Sequence, residues 1–203
     1  MNIFYNILSA LFCLILGYFF GSIPTAVWIG KAFFHRDPRL EGSKNAGGTN
    51  AGRLFGKKIG VLVIFLDMLK LILPMYLCFL MFTYIKFGNS PLCPKPEEFD
   101  QFGLNYHYIV GWPVYWLAVV GCVVGHCWPF FASFKGGKGV SCYMGTVCAS
   151  TWMLGLIPGL TYFLFLKITK KVSLTSIIVS ILITVVTWVW IILFMLGVIP
   201  TNL

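Results

Sequence analysis

The stretch IGVLVIFLDMLKLILPMYLCFLMFTYI, residues 59–85, is long and apolar enough to cross a bilayer as one helix, yet it carries Asp67 and Lys70. Charged side chains at membrane depth are costly, and they are kept where they face a bundle interior, usually in pairs. Positions i and i+3 share one face of a helix, so Asp67 and Lys70 read as a structural ion pair inside a bundle. The functional alternative is that the pair positions loops at the membrane surface.

The rest of the chain repeats this character. Residues 1–30, 71–85, 101–134, 139–166 and 172–203 hold no Asp, Glu, Lys or Arg. The 203 residues are 59% hydrophobic and 10% charged, with a mean hydropathy of +0.87. A soluble domain would carry about a quarter charged residues. The fold class is therefore all-α, a polytopic transmembrane helix bundle forming one integral membrane domain over 1–203. The alternating short segments of a β-barrel are absent. The first apolar run is too long for a secretory signal and leads to Lys31 instead of a small-residue cleavage site, so it reads as a retained helix.

Fifteen Lys and Arg against six Asp and Glu give +9. On a soluble protein that charge would suggest a nucleic-acid partner; here it sets orientation, because cationic loops stay on the cytoplasmic side. Residues 31–58 hold seven cations against Asp37 and Glu41, so this loop is expected inside and the N-terminus outside. Spans are expected at Ile3–Ile29, Ile59–Ile85, Trp112–Phe131 and Val172–Val198, with 86–111 as an outer loop. Residues 139–166 are expected to form two short helices with a turn near Trp152–Gly159, where Gly155, Pro158 and Gly159 interrupt regularity. One long span is the alternative, but it would strand Lys167, Lys170 and Lys171 outside. The hairpin gives six membrane segments. Along the last, Ser173, Thr175, Ser176, Ser180, Thr184 and Thr187 recur mainly three or four apart, a face expected to pack on a neighbour.

Two glycine-rich cationic stretches are expected on the inner face. EGSKNAGGTNAGR, residues 41–53, offers Ser43, Asn45, Thr49, Asn50 and Arg53 among four glycines. It reads either as a polar connector or as a concave oxyanion site built from hydroxyls and free backbone N–H groups. FKGGKGVS, residues 134–141, places Lys135 and Lys138 among Gly136, Gly137 and Gly139. It is not a Walker A loop, since Gly139 stands where Ser or Thr is required. Two lysines and a glycine backbone at a helix start still suit a phosphate. His126 ends the third span and reads either as a structural residue or as a base. Cys122, His126 and Cys127 lack a zinc-ligand pattern, and no metal or cofactor is expected. HxxxxD is absent, as residues 40, 112 and 131 are Leu, Trp and Phe, and there is no GxSxG elbow.

With these residues in view, GSIPTAVWIGK, DPRLEGSKNAGGTNAGRLFGKK, FLDMLK and VVGHCWPFFASFKGGKGVS resemble, in order and spacing, the bacterial acyl-phosphate-dependent glycerol-3-phosphate acyltransferases, over about residues 15–180. The resemblance implies a seven-helix cell-membrane enzyme of phospholipid synthesis with its active site on the cytoplasmic side. It would move a fatty acyl group from acyl phosphate to the 1-position of glycerol 3-phosphate, giving lysophosphatidic acid. On that reading Ser43, Arg53, Lys138 and His126 are the catalytic candidates. Asn45, Thr49, Asn50, Lys135, Gly136, Gly137 and Gly139 bind the two phosphates, and the base is His126 or a phosphate oxygen of the substrate. Partners would be the enzyme that makes acyl phosphate, the next acyltransferase and membrane lipid. Two departures stand out. Gly47-Gly48-Thr49-Asn50 replaces the usual GATN, and the family's seventh helix and third motif, of the RHRxNIxR kind, are not found, so the chain is expected to be C-terminally incomplete. A rival reading as an anion transporter requires polar residues through the outer half of the chain, which holds few.

Overall fold

The computed structural model describes residues 3–84, 115–150 and 152–195, and every described element is helical. The elements are α1 (Ile3–Gly21), α2 (Thr25–Phe34), α3 (Gly48–Phe55), α4 (Lys57–Tyr84), α5 (Trp116–Cys127), a 3-10 turn (Phe130–Ala132), α6 (Val140–Ser150), α7 (Trp152–Thr169) and α8 (Val172–Met195). Ile7–Phe34 and Lys57–Met81 are long and apolar enough to cross a membrane. Residues 1–151 and 152–203 form separate compact units.

The first expected span departs from expectation, for it is broken in two. α1 stops at Gly21 and α2 begins at Thr25, because Pro24 has no N–H to continue the ladder and disfavours helical geometry at Ile23. Backbone freed at membrane depth needs partners from the protein. The Ile23 carbonyl accepts from Lys70 Nζ at 2.8 Å, and Ser22 Oγ accepts the Phe130 N–H at 3.2 Å. The helix expected at Ile59–Ile85 forms as α4 and stays continuous through Pro74. A proline there leaves the carbonyl four residues back without its usual donor. That carbonyl belongs to Lys70, and the Cys122 thiol supplies a weak donor at 3.5 Å.

Small residues set how closely these helices approach. A side chain on Gly17 or Gly21 would run into the backbone of Ala118 or Cys122, and one on Gly121 or Gly125 into that of Leu14 or Tyr18. The two i, i+4 glycine pairs therefore face each other with backbones in contact, the packing that substitutes for hydrophobic driving force in lipid. The contacts advance in the same order on both chains, so α1 and α5 run parallel. α4 runs antiparallel to α1: Cys78 clusters with Cys13 near one end, while Asp67 bonds Thr25 beyond the other. α6 lies against α4 with Gly145 at Met68. Leu71, Met75, Val119, Cys122 and Cys142 form the buried cluster between them.

The third expected span appears as α5, which ends at Cys127 and does not run to Phe131, because Pro129 and the 3-10 turn follow; residues 112–114 and the loop 86–111 lie outside the described residues. The stretch 139–166 does form two helices, α6 and α7. The described part of α6 ends at Ser150, however, and α7 begins at Trp152 and runs through Gly155, Pro158 and Gly159. Both residue types are tolerated within membrane helices. In the second unit α7 and α8 are joined at Lys170, whose φ of 53° turns the chain. Three α8 hydroxyls donate to the carbonyl four residues back: Thr175 to Lys171 at 3.0 Å, Ser176 to Val172 at 2.7 Å and Thr184 to Ser180 at 2.8 Å. The expected packing of that face is met in part by α7, since Thr175 is fully buried and shares a hydrogen bond with the Thr169 hydroxyl.

The glycine packing yields a direct stability prediction. Gly121→Leu places a side chain against the Leu14 backbone and should destabilise the bundle by about 3 kcal/mol, read as a lower melting temperature in detergent. Val120→Leu, on an exposed face one residue away, should melt like the wild type. Equal melting of the two variants would contradict the packing.

Candidate active site

Two loops meet at the end of the first unit where α1, α5 and the start of α4 converge. The first follows α2, which ends at His35 with a left-handed φ of 53°. Asp37 then takes a fork from Arg39, with Nε at 3.0 Å and Nη2 at 2.7 Å, and accepts the Arg39 backbone N–H at 3.0 Å. This guanidinium holds the Asp37 carboxyl down at about 2. A carboxyl lowered by folding contributes stability above about pH 4, its ordinary range, and the contribution is lost as pH falls toward 2. The remaining arm of Arg39 reaches the Ala132 carbonyl at 2.7 Å and joins the first loop to the second. Next to it, Arg36 Nε donates to Glu41 at 2.9 Å on the exposed side.

Asn50 ties the first loop together. It is 1% exposed, and its amide nitrogen donates to the carbonyls of Pro38 (2.7 Å), Glu41 (3.0 Å) and Asn45 (3.1 Å). Its oxygen accepts the Ser43 N–H at 2.8 Å. An amide has two hydrogens and two lone pairs, so this side chain is committed to shaping the loop. The contacts seen for Asn50, which was expected to bind substrate, all go to the loop itself. Thr49, Asn50 and Arg53 also lie on a helix, α3, and not in a flexible connector. Two of the glycines expected to present backbone donors instead pack helices: a side chain on Gly48 would overlap the Gly60 carbonyl, and Gly52 lies against the Gly60 backbone across the α3–α4 contact.

The second loop folds back on the end of α5. The Gly137 N–H donates to the His126 carbonyl at 3.0 Å. A side chain on Gly136 would strike that carbonyl and Pro129, and one on Gly137 would strike the His126 imidazole. Glycine is thus required at 136 and 137 for close approach to His126, and the Gly137 amide is engaged by the protein, contrary to its expected part in holding phosphate. The Gly136 and Gly139 amides make no backbone hydrogen bond among the described residues. Gly139, with φ 78°, opens the turn into α6. Ser43, Arg53, Lys135 and Lys138 are exposed, and Asn45 and Thr49 are half-buried.

Beneath the loops lies the expected ion pair. Asp67 is fully buried and Lys70 is 5% exposed, with Lys70 Nζ 3.0 Å from Asp67 Oδ1. The same oxygen accepts the Thr25 hydroxyl at 2.6 Å, and His126 Nδ1 stands 3.8 Å from it. Thr25, Ala46, Lys70, His126, Gly136 and Gly137 line one small cleft, with about 10 Å³ open to a water-sized group. Both loops therefore reach the buried charges. Thr25, Ser22 and Arg39 were not singled out from the sequence. Thr25 directly after Pro24, at a break in an apolar run, is the signal that could have found the first two.

Comparison with known proteins bears on what this arrangement does. A family model described as glycerol-3-phosphate acyltransferase matches residues 11–202. The glycerol-3-phosphate acyltransferase of Enterococcus faecalis is 36% identical over 174 residues, covering 86% of this chain and 68% of the relative. That of Staphylococcus carnosus is 39% identical over 168 residues, covering 83% and 74%. Among solved structures, a crystal structure of PlsY (YgiH), an integral membrane glycerol 3-phosphate acyltransferase, in its glycerol 3-phosphate form, superposes with a TM-score of 0.64 at 32% identity, covering 93% of this chain and 78% of that one. Its lysophosphatidic acid form gives 0.62 at 30%.

Asn50→Asp keeps the side-chain shape but removes two donors and turns a carboxylate toward three carbonyls. It should cost about 2–3 kcal/mol and expose the 36–50 loop to limited proteolysis while α4 and α5 stay protected. Wild-type stability and cleavage would return Asn50 to a substrate-facing role.

Proposed function

The chain belongs to the glycerol-3-phosphate acyltransferase family, and from that premise we propose that it transfers a fatty acyl group from acyl phosphate to the 1-hydroxyl of sn-glycerol 3-phosphate, releasing lysophosphatidic acid and phosphate. The observation that carries this reading is the match over 11–202, together with two cationic loops that reach one cleft above a buried charge cluster. The PlsY structures are named for their glycerol 3-phosphate and lysophosphatidic acid forms, and these two molecules are the acceptor and product of the proposed reaction.

The chemistry suits such a site. Acyl phosphate is a mixed anhydride with a stable leaving group, so no acyl-enzyme is needed. The glycerol oxygen attacks the acyl carbon, the bond from that carbon to the phosphate oxygen breaks, and the hydroxyl proton passes to a phosphate oxygen of the donor. Lys135 and Lys138, with the Gly136 and Gly139 amides, neutralise the donor phosphate. Ser43, Asn45, Thr49 and Arg53 hold the acceptor phosphate and orient its hydroxyl. Positioning and charge stabilisation then supply most of the acceleration. His126, buried against Gly137 with Nδ1 toward Asp67, acts as support in this reading, and the donor supplies the base.

The positive loop 31–58 and the exposed Lys167, Lys170 and Lys171 favour six membrane segments with both phosphate loops on the cytoplasmic face of the cell membrane. Single cysteines at Ser43, Ser133 and Thr169 in a cysteine-free background should label from the cytoplasmic side, and one at Ser90 from outside. Labelling of position 169 from outside would restore one long span over 139–166.

The deciding assay supplies purified protein with labelled glycerol 3-phosphate and either acyl phosphate or acyl-CoA. Transfer from acyl phosphate alone is expected; transfer from acyl-CoA alone would overturn the donor assignment, and transfer from neither the function. Lys138→Ala should leave the protein folded and cut transfer on the order of 100-fold, the scale of losing a charge contact in the transition state. Arg53→Lys should raise the KM for glycerol 3-phosphate, since an ammonium does not reproduce a fork to phosphate. Normal kinetics in either variant would remove that residue from the site.

A further inference from the structure

We propose that Asp67 is a positioning residue for acyl transfer, acting through His126 on the loop segment Gly136–Gly137; the proposal rests on the reading that this loop holds the phosphate of acyl phosphate. Asp67 has no solvent exposure. The observed polar contacts of its carboxylate converge on one oxygen: the Thr25 hydroxyl at 2.6 Å, Lys70 Nζ at 3.0 Å and His126 Nδ1 at 3.8 Å. The second oxygen, Oδ2, is buried and accepts no hydrogen bond among the described residues. Buried carboxylate oxygens left unpaired are expensive. A carboxylate kept only to balance Lys70 would be poorly used here, because a buried ion pair is often replaced by apolar residues of similar volume without loss of stability.

His126 stands beside this carboxylate without closing a hydrogen bond to it. His126 Nδ1 is just beyond hydrogen-bond reach of Asp67, and a small turn of either group brings an Nδ1–H onto the carboxylate. Catalytic hydrogen bonds are often long in the unliganded protein and tighten when substrate binds. The far side of the imidazole already occupies the space a side chain on Gly137 would need, and the His126 carbonyl both receives the Gly137 N–H at 3.0 Å and fills the space beside Gly136. Ring and carbonyl together form the surface on which the two glycines lie. Fixing the ring through Asp67 therefore fixes the path of the backbone between Lys135 and Lys138. Among the described residues no hydrogen bond links Asp67 to residues 43–53, where Ala46 reaches the same cleft but the loop's shape is set by Asn50. The consequence is selective: loss of the Asp67–His126 link should weaken the donor site and spare the acceptor site.

Four variants of the full chain in detergent test this. Asp67→Asn alone leaves the Lys70 ammonium without its counter-charge and should lower the melting temperature. Asp67→Asn combined with Lys70→Met removes both charges and should recover part of the lost thermal stability, the Ile23 carbonyl being left without its Lys70 donor, while the KM for acyl phosphate stays raised about tenfold, the loss of one hydrogen bond to a charged group. The KM for glycerol 3-phosphate should stay within about twofold, since the coupling runs to one loop only. His126→Asn carries an amide N–H close to the place of Nδ1 and should keep the donor KM within about threefold, whereas His126→Leu should raise it about tenfold. If the double variant regains its donor KM, if both KM values rise together, or if Asn and Leu at 126 behave alike, the positioning role is overturned. Failure of the wild type to use acyl phosphate would instead sink the functional reading, so the two failures are distinguishable.

Discussion

A single buried carboxylate holds the first unit together at the level where helices give way to loops. Asp67 belongs to α4, takes the hydroxyl of Thr25 from the start of α2, and stands beside His126 at the end of α5. Its partner Lys70 closes the remaining connection by donating to the Ile23 carbonyl in the break between α1 and α2. Irregular backbone at membrane depth survives only where the protein satisfies it, and here a lysine does so while paired to the carboxylate. Removing either charge alone would leave the other buried and uncompensated, which is far more damaging than removing both.

This arrangement depends on helix backbones coming close enough for short side chains to meet. The glycines at 17, 21, 121 and 125 bring α1 and α5 into parallel contact, and Gly48, Gly52 and Gly60 bring α3 and α4 into close antiparallel contact. Lipid offers no hydrophobic drive for such contacts, so close van der Waals packing supplies it. The outcome is a rigid frame from which two loops emerge, one shaped by Asn50 and the other by His126. Arg39 clasps them together through the Ala132 carbonyl. Under the proposed reaction, which joins two phosphate-bearing substrates without a protein nucleophile, fixing the distance between the two loops is the main task left to the fold.

Much of this was legible in the chain. The apolar runs specified α4 and α8 nearly to their ends, and the i, i+3 spacing of Asp67 and Lys70 announced their pairing. The two glycine-rich cationic stretches marked the loops and carried the family resemblance. What escaped depended on contacts distant in sequence. Nothing local to Asn50 distinguishes a side chain that binds substrate from one that gathers the carbonyls of residues 38, 41 and 45. The glycines of 41–53 and 134–139 read as flexible backbone, whereas most serve close packing that only the partner surface, Ile64 or His126, makes visible. The break at Pro24 was masked by the apolarity around it. The opposite error occurred at Gly155, Pro158 and Gly159, which signalled a turn but lie inside α7.

The central claim is that the loop 134–139, proposed to face the donor phosphate, is held in shape from within the membrane, by Asp67 through His126. Amide hydrogen exchange at Gly137 tests it most directly, because that N–H is bonded to the His126 carbonyl and reports loop anchoring independently of catalysis. The account predicts a protected Gly137 amide in the wild-type chain and exchange at least about tenfold faster in Asp67→Asn/Lys70→Met, with amides in the middle of α4 and α5 unchanged. Fast exchange at Gly137 in the wild type, or protection that survives loss of the carboxylate, would contradict it.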